Sequence, residues 1–145
     1  MTVDEILGLL DLAMPVEGVT FSGGEPFAQA SGLVQLAEVV RERGLSLMAF
    51  TGYELEELTV PDQQRLLGLL DIVVTGRFVA SLKRTDLRWR GSSNQRVHFL
   101  SDRYAAEAEG DGAAVEVTLD GRGGVRVTGF PTSELLVQII GRKVR

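Results

Sequence analysis

Gly18-Val19-Thr20-Phe21-Ser22-Gly23-Gly24-Glu25-Pro26-Phe27 is the stretch on which the reading of the fold turns. Val19-Thr20-Phe21 is short, apolar and bounded by turn residues, which predicts a strand. It runs straight into Ser22-Gly23-Gly24-Glu25-Pro26. Two adjacent glycines let the main chain approach a ligand closely, and Pro26 stiffens the exit. Bare backbone at a strand's carboxyl end is where open α/β folds bind ligands, so the exposed carbonyls here are candidate acceptors for an ammonium group. Taken alone, a Gly-Gly-Glu-Pro turn is more often just a strand-to-helix connection.

Upstream, Thr2-Val3-Asp4-Glu5 has the form of a capping box that starts a helix. Ile6, Leu9, Leu10 and Ala13 follow at helical spacing, and Pro15 and Gly18 close the element. Downstream, Leu33, Leu36, Ala37 and Val40 form a second helical stripe ending at Gly44, and residues 45–50 form a second strand stopped by Thr51-Gly52. Residues 53–58 and 61–70 read as helical, with Pro61 at a helix start where its missing N–H costs nothing. Residues 71–75 form a third strand and 96–100 a fourth. Strands apolar on both faces, alternating with helices, argue for a parallel sheet covered by helices. The last third differs: residues 114–119 and 124–128 alternate with period two around Asp120-Gly121-Arg122-Gly123, a β-hairpin pattern. Gly110-Asp111-Gly112 reads as a loop before it. Phe130 onward reads as a final helix with Leu135, Leu136, Ile139 and Ile140 on its apolar face. The expected organisation is α/β, one domain over 1–145, with βα repeats in 1–109 and a hairpin plus terminal helix in 110–145.

Composition narrows the function classes. The chain has 145 residues, no cysteine and a single histidine, His98. That excludes disulfides, thiolate metal sites and a multi-histidine site made from this chain alone. No apolar run reaches the roughly 20 residues of a membrane span, and the start lacks the basic region of a secretory signal, so a cytoplasmic location is expected. Net charge is −5, unevenly placed. Residues 1–70 carry eleven acids against Arg41, Arg43 and Arg65, net −8, and the remainder is net +3. Arg77, Lys83, Arg84, Arg88, Arg90, Arg96 and Arg103 form a basic stretch broken by Asp86 and Asp102. It reads as a surface for an anionic ligand or acidic partner, or as a solvated face, while the acidic total argues against nucleic acid.

Four blocks in order carry a resemblance. They are Gly18 to Ala30, Phe50-Thr51-Gly52-Tyr53 with Glu56-Glu57-Leu58, Asp71 to Val74 with Gly76-Arg77-Phe78, and Leu87 to Arg96. Together they resemble the radical S-adenosylmethionine activating enzymes, in the branch of the anaerobic ribonucleotide reductase activases. The resemblance implies a partial (βα) barrel of that type. It also implies that Ser22, Gly23, Gly24, Glu25 and Pro26 hold the methionyl amino group of S-adenosylmethionine through backbone carbonyls. Thr51 and Gly52, ending the next strand on the same side, are implied second-line contacts; their other reading is a strand-terminating turn with a capping hydroxyl. Ser93 and Asn94 are implied contacts to the cofactor's carboxylate or ribose, and Trp89 with Arg90 an interface anchor pair for a protein partner. The bland version has Trp89 packed over the barrel edge. The implied partner is a glycyl-radical enzyme such as anaerobic ribonucleotide reductase. His98 reads as a packing or hydrogen-bonding residue, and Glu25 has no second acid beside it for acid–base chemistry.

Members of that family also carry a Cys-x-x-x-Cys-x-x-Cys loop upstream of this strand, holding a [4Fe–4S] cluster, together with a first barrel strand. Neither is found in these 145 residues, and such clusters depend on thiolates. The expectation is an amino-terminally truncated form, inactive by itself. A degenerate paralogue serving as a ligand- or protein-binding module, or a split enzyme completed by a second polypeptide, are the alternatives, so whether this chain is itself an enzyme stays open. A missing first strand leaves a sheet edge on which self-association is expected.

Overall fold

The computed structural model describes residues 2–13, 15–104, 115–119 and 125–129. The expected loop at 110–112, turn at 120–123 and helix beyond Phe130 lie outside the described residues. Helix α1 (Val3–Ala13) opens on the capping box read from sequence. Thr2 N–H donates to Glu5 Oε2 at 2.8 Å, and Glu5 N–H donates to Thr2 Oγ1 at 3.2 Å. Its packing stripe is Val3, Ile6, Leu7 and Leu10, the 3–4 spacing of one helical face, and Leu9 falls outside it, 55% exposed.

The sheet follows: β1 (Gly18–Phe21), α2 (Ala30–Glu42), β2 (Ser46–Phe50), α3 (Pro61–Leu69), β3 (Ile72–Thr75) and β4 (Arg96–Phe99). Strand order is β1-β2-β3-β4, with β1, β2 and β3 parallel. Two parallel connections step the same way across the sheet, and α2 and α3 pack against each other, as crossovers of one hand require. Alternation along the strands sends Phe21, Leu47, Ala49 and Val73 into that layer, where they meet Phe27, Val34, Leu36, Ala37, Val40, Leu58 and Leu66. A separate antiparallel pair, β5 (Val115–Leu119) and β6 (Val125–Gly129), confirms the hairpin with Val117 opposite Val127. No helix among the described residues is long and apolar enough to cross a membrane.

Two expectations need correction. Residues 53–58 form only a single 3₁₀ turn, Leu55–Glu57, in which the Glu57 carboxylate accepts from Glu54 N–H at 2.8 Å. More consequential, β4 runs antiparallel to β3, with Val74 opposite Val97. The connection from β3 contains one 3₁₀ turn, Ala80–Leu82, and no α-helix among the described residues. It leaves and returns at the same end of the sheet. Gln95 Nε2 donates to the Gly76 carbonyl at 3.0 Å and Asn94 Nδ2 to the Arg77 carbonyl at 2.8 Å, so the next strand has to run backward.

Glycine at position 18 is required by crowding. A β-carbon there would lie 2.0 Å from Ser46 Oγ and 2.6 Å from the Ser46 carbonyl oxygen, and the second of these cannot rotate away. Gly18→Ala is therefore expected to separate the start of β1 from β2 and destabilise the fold by about 1–3 kcal/mol. Thermal unfolding checks this, and an unchanged midpoint contradicts the close β1–β2 approach.

Candidate functional site

The carboxyl ends of β1, β2 and β3 converge on the Gly-Gly-Glu-Pro turn. Gly23 and Gly24 both adopt left-handed backbone, with φ of 72° and 51°. A β-carbon on Gly23 would meet nothing within 4 Å, and one on Gly24 only Gln29 Nε2 at 3.9 Å. Glycine is therefore demanded here by conformation, and the space above the turn is open. The carbonyls of Ser22, Gly23 and Gly24 accept no backbone hydrogen bond among the described residues, whereas the Glu25 carbonyl accepts from Ala28 N–H at 3.1 Å. Pro26 and Phe27 are buried and begin the 3₁₀ turn Pro26–Gln29, and Gln63 Nε2 donates from α3 to the Phe27 carbonyl at 3.2 Å. The result is an exposed, acceptor-rich turn anchored on its downstream side.

Glu25 holds this turn to its neighbour. Its Oε1 accepts from Phe27 N–H at 3.0 Å and from the Thr51 hydroxyl at 2.8 Å, and its Oε2 accepts from Gly52 N–H at 2.9 Å. Thr51 is itself buried, and its Oγ1 accepts from Tyr53 N–H at 3.1 Å. Thr51 and Gly52 thus stand behind Glu25, bracing the turn from the end of β2. The carboxylate that sequence reading left without a partner carries three donors, two of them 26 and 27 residues away.

A third segment joins at the same end. A β-carbon on Gly52 would lie 3.6 Å from both Arg77 Cγ and Glu25 Oε2, which places the Arg77 side chain beside the brace. Asn94 reaches this end through the Arg77 carbonyl, and its Oδ1 is buried with no hydrogen-bond partner among the described residues. Ser93 is exposed and tied back through its N–H to the Leu82 carbonyl at 2.9 Å. Two residues that sequence reading passed over organise this loop. Gln95 Oε1 accepts from Gly91 N–H at 2.8 Å and Ser92 N–H at 3.2 Å, and the fully buried Ser92 accepts from Val79 N–H at 3.2 Å. The only signal for them was their place in a donor-dense run.

Trp89 and Arg90 are both half-buried, and Trp89 does not join the Ser22–Pro26 turn. Its ring packs against Phe99, with centroids 6.2 Å apart, and lines a cavity near the amino ends of the strands. His98 sits with its Nε2 2.9 Å from Thr75 Oγ1. Burial foremost, and then the charge of Arg96, hold its pKa below the usual histidine value. That fits the hydrogen-bonding role read from sequence.

Comparison with known proteins matches residues 2–98 to the family described as a 4Fe-4S single cluster domain. The anaerobic ribonucleoside-triphosphate reductase-activating protein of Escherichia coli (strain K12) is 36% identical over 102 residues, 67% of this chain and 66% of the relative. The protein of the same name from Salmonella typhi is 38% identical over 99 residues, 66% of this chain and 64% of the relative. That from Haemophilus influenzae is 32% identical over 94 residues, 62% of this chain and 60% of the relative. The chain spans just under two thirds of the length of these relatives. No solved structure matches it.

A [4Fe–4S] cluster does not fit the residues present. The chain has no cysteine, and no group of three His, Asp or Glu side chains among the described residues is placed to hold a metal ion. The open carbonyls of the glycine turn suit an ammonium group, which needs acceptors and no thiolate. From the match over residues 2–98, the chain belongs to the 4Fe-4S single cluster domain family, and the relatives it resembles there are anaerobic ribonucleoside-triphosphate reductase-activating proteins.

Proposed function

We propose that this chain is an activase-like protein whose β1–β3 carboxyl ends hold S-adenosylmethionine for the activation of an anaerobic ribonucleotide reductase, a glycyl-radical enzyme. The observation that carries the reading is the Ser22–Pro26 turn, with its paired left-handed glycines and Glu25 braced by Thr51 and Gly52. The relatives' shared name supports the partner. In this reading the methionyl ammonium donates to the carbonyls of Ser22, Gly23 and Gly24. Asn94, with its unsatisfied buried Oδ1, and the exposed Ser93 flank the rest of the ligand. Trp89 and Arg90 serve the face toward the protein partner. The four-stranded sheet is read as part of a radical S-adenosylmethionine barrel within one domain over 1–145, in the cytoplasm. The outer edge of β1, which pairs only with β2 among the described residues, is the surface for self-association.

Because no thiolate is present, the chain as it stands supplies binding and orientation and not the cluster. Anaerobic incubation with iron and sulfide tests this. The expected result is no visible charge-transfer absorbance on the repurified chain and no 5′-deoxyadenosine from S-adenosylmethionine under reducing conditions. A stable visible band with cofactor cleavage contradicts the assignment of this chain as inactive by itself.

A further inference from the structure

A cavity of about 300 Å³ lies on the sheet face turned away from the helices, within the size range of small-molecule sites. Thr20, Met48 and Ile72 form its floor, and Arg88 and Trp89 close it from above. Gly18, Ser46 and Ile72, the first residues of their strands, also line it, which places it in the amino-terminal half of the sheet. Thr20 on its floor stands two residues before Ser22, roughly 7 Å at about 3.3 Å per residue, so the cavity lies below the glycine turn along the same strand.

Its upper wall is held in an unusual state. Trp89, with φ of 59°, is the one non-glycine residue with positive φ among those described. Such backbone is costly for a bulky residue and persists where the surroundings over-determine it. Here Phe99 packs on the ring and the Arg88 guanidinium stacks 4.1 Å from its centroid. Arg88 makes no hydrogen bond or ion pair among the described residues. Stacking occupies the flat face of a guanidinium and leaves its in-plane N–H groups free, the geometry that grips a carboxylate with two parallel bonds. Below it the floor offers an apolar surface from Met48 and Ile72. At the rim the Glu17 carboxylate accepts from the Tyr104 hydroxyl at 3.0 Å, and a carboxylate there opposes a doubly charged ligand more than a singly charged one.

We propose that this cavity binds a small monocarboxylate with a flat apolar body, its carboxylate on Arg88 and its body over Met48 and Ile72. Trp89 is the only tryptophan, so its emission reports on the cavity directly. The probe is benzoate titrated into the full chain, with benzyl alcohol and inorganic phosphate as comparators. The expected result is a saturable emission change with benzoate, at least tenfold weaker apparent affinity for benzyl alcohol, and no saturable change with phosphate. Arg88→Gln should weaken benzoate at least tenfold, and Thr20→Phe should abolish its binding by filling the floor with Arg88 intact. A non-saturating response to benzoate, equal affinity for benzyl alcohol, or saturable binding of phosphate at comparable affinity overturns the proposal, and the wild-type titrations alone decide these. Unchanged benzoate affinity in both variants overturns the location.

Discussion

Replacing Asp71 with alanine is expected to destabilise the fold by about 2–4 kcal/mol, chiefly the cost of leaving a buried donor without its acceptor, with the loss of a half-exposed ion pair added. Asp71 is 1% exposed immediately before β3. Its carboxylate accepts twice from Arg41 Nη1 at 2.8 Å, once from Leu47 N–H at 2.9 Å and once from the Ser101 hydroxyl at 2.5 Å. Its own backbone accepts from Leu100 N–H and donates to the Leu47 carbonyl, both at 2.8 Å. One side chain thus links α2, β2, β3 and the residues after β4. Arg41 is 39% exposed and can be rehydrated, so the ion pair alone is not the main loss. The larger part comes from Leu47, which is fully buried and whose N–H would lose its side-chain acceptor. The thermal unfolding midpoint should fall by about 6–12 °C, taking roughly 3 °C per kcal/mol for a chain of this size. Asp71→Asn, which keeps an acceptor for Leu47, should cost less. Equal losses in the two variants would contradict this division.

The same residue sets an acid limb. Burial opposes the charge on Asp71, but Ser101, the Leu47 N–H and Arg41 outweigh it and hold the carboxyl below its ordinary value. A carboxylate lowered in the folded state contributes stability that is complete above its unfolded value of about 3.9 and is lost as pH falls through the folded one. The gap in stability between wild type and Asp71→Asn should therefore be constant near neutrality and shrink below about pH 4. Denaturant melts across that window check the sign.

The second large effect is expected at Glu25, and it falls on binding. Glu25 fixes the turn by accepting from Phe27, Thr51 and Gly52. Glu25→Ala leaves the carbonyls of Ser22, Gly23 and Gly24 in place chemically but frees the segment that aims them, so a ligand has to order it on arrival. Losing charge-assisted hydrogen bonds worth about 1.5–3 kcal/mol apiece, partly re-formed with water, predicts S-adenosylmethionine affinity weaker by roughly tenfold to a hundredfold. Thr51→Val should reproduce part of the loss and Thr51→Ser almost none, because only the hydroxyl reaches Glu25 Oε1. A structural role without consequence for the ligand would lower thermal stability in Glu25→Ala and leave the affinity as it was.

Local chemistry was legible in the sequence to a useful depth. The Thr2–Glu5 box, the α2 stripe and the three parallel strands stand where spacing and turn residues put them, because each is decided by neighbours within a few positions. What stayed hidden depends on contacts between distant segments. The direction of β4 follows from Gln95 and Asn94 gripping the backbone at Gly76 and Arg77, about 17 to 19 residues earlier, which no periodicity records. The part played by Glu25 follows from Thr51 and Gly52, and that of Asp71 from Arg41 and Ser101, each 30 residues away. The contact of Trp89 with Phe99 joins the donor-rich run to β4, and the left-handed φ of 59° at Trp89 leaves no compositional trace. The glycine turn was found readily for the opposite reason: φ of 72° and 51° in succession all but demands the residues that advertise it.

Isothermal calorimetry of S-adenosylmethionine with the full chain and with Gly24→Trp, in the absence of iron, tests the cofactor cradle most directly. Gly24 has open space above it, so a tryptophan there enters the cradle without displacing core residues, although it must bear a left-handed φ. The account predicts measurable wild-type binding that is lost in Gly24→Trp while the far-ultraviolet circular dichroism is retained. No binding by the wild-type chain, or binding that Gly24→Trp leaves intact, would contradict the assignment of the Ser22–Pro26 turn as the cofactor cradle.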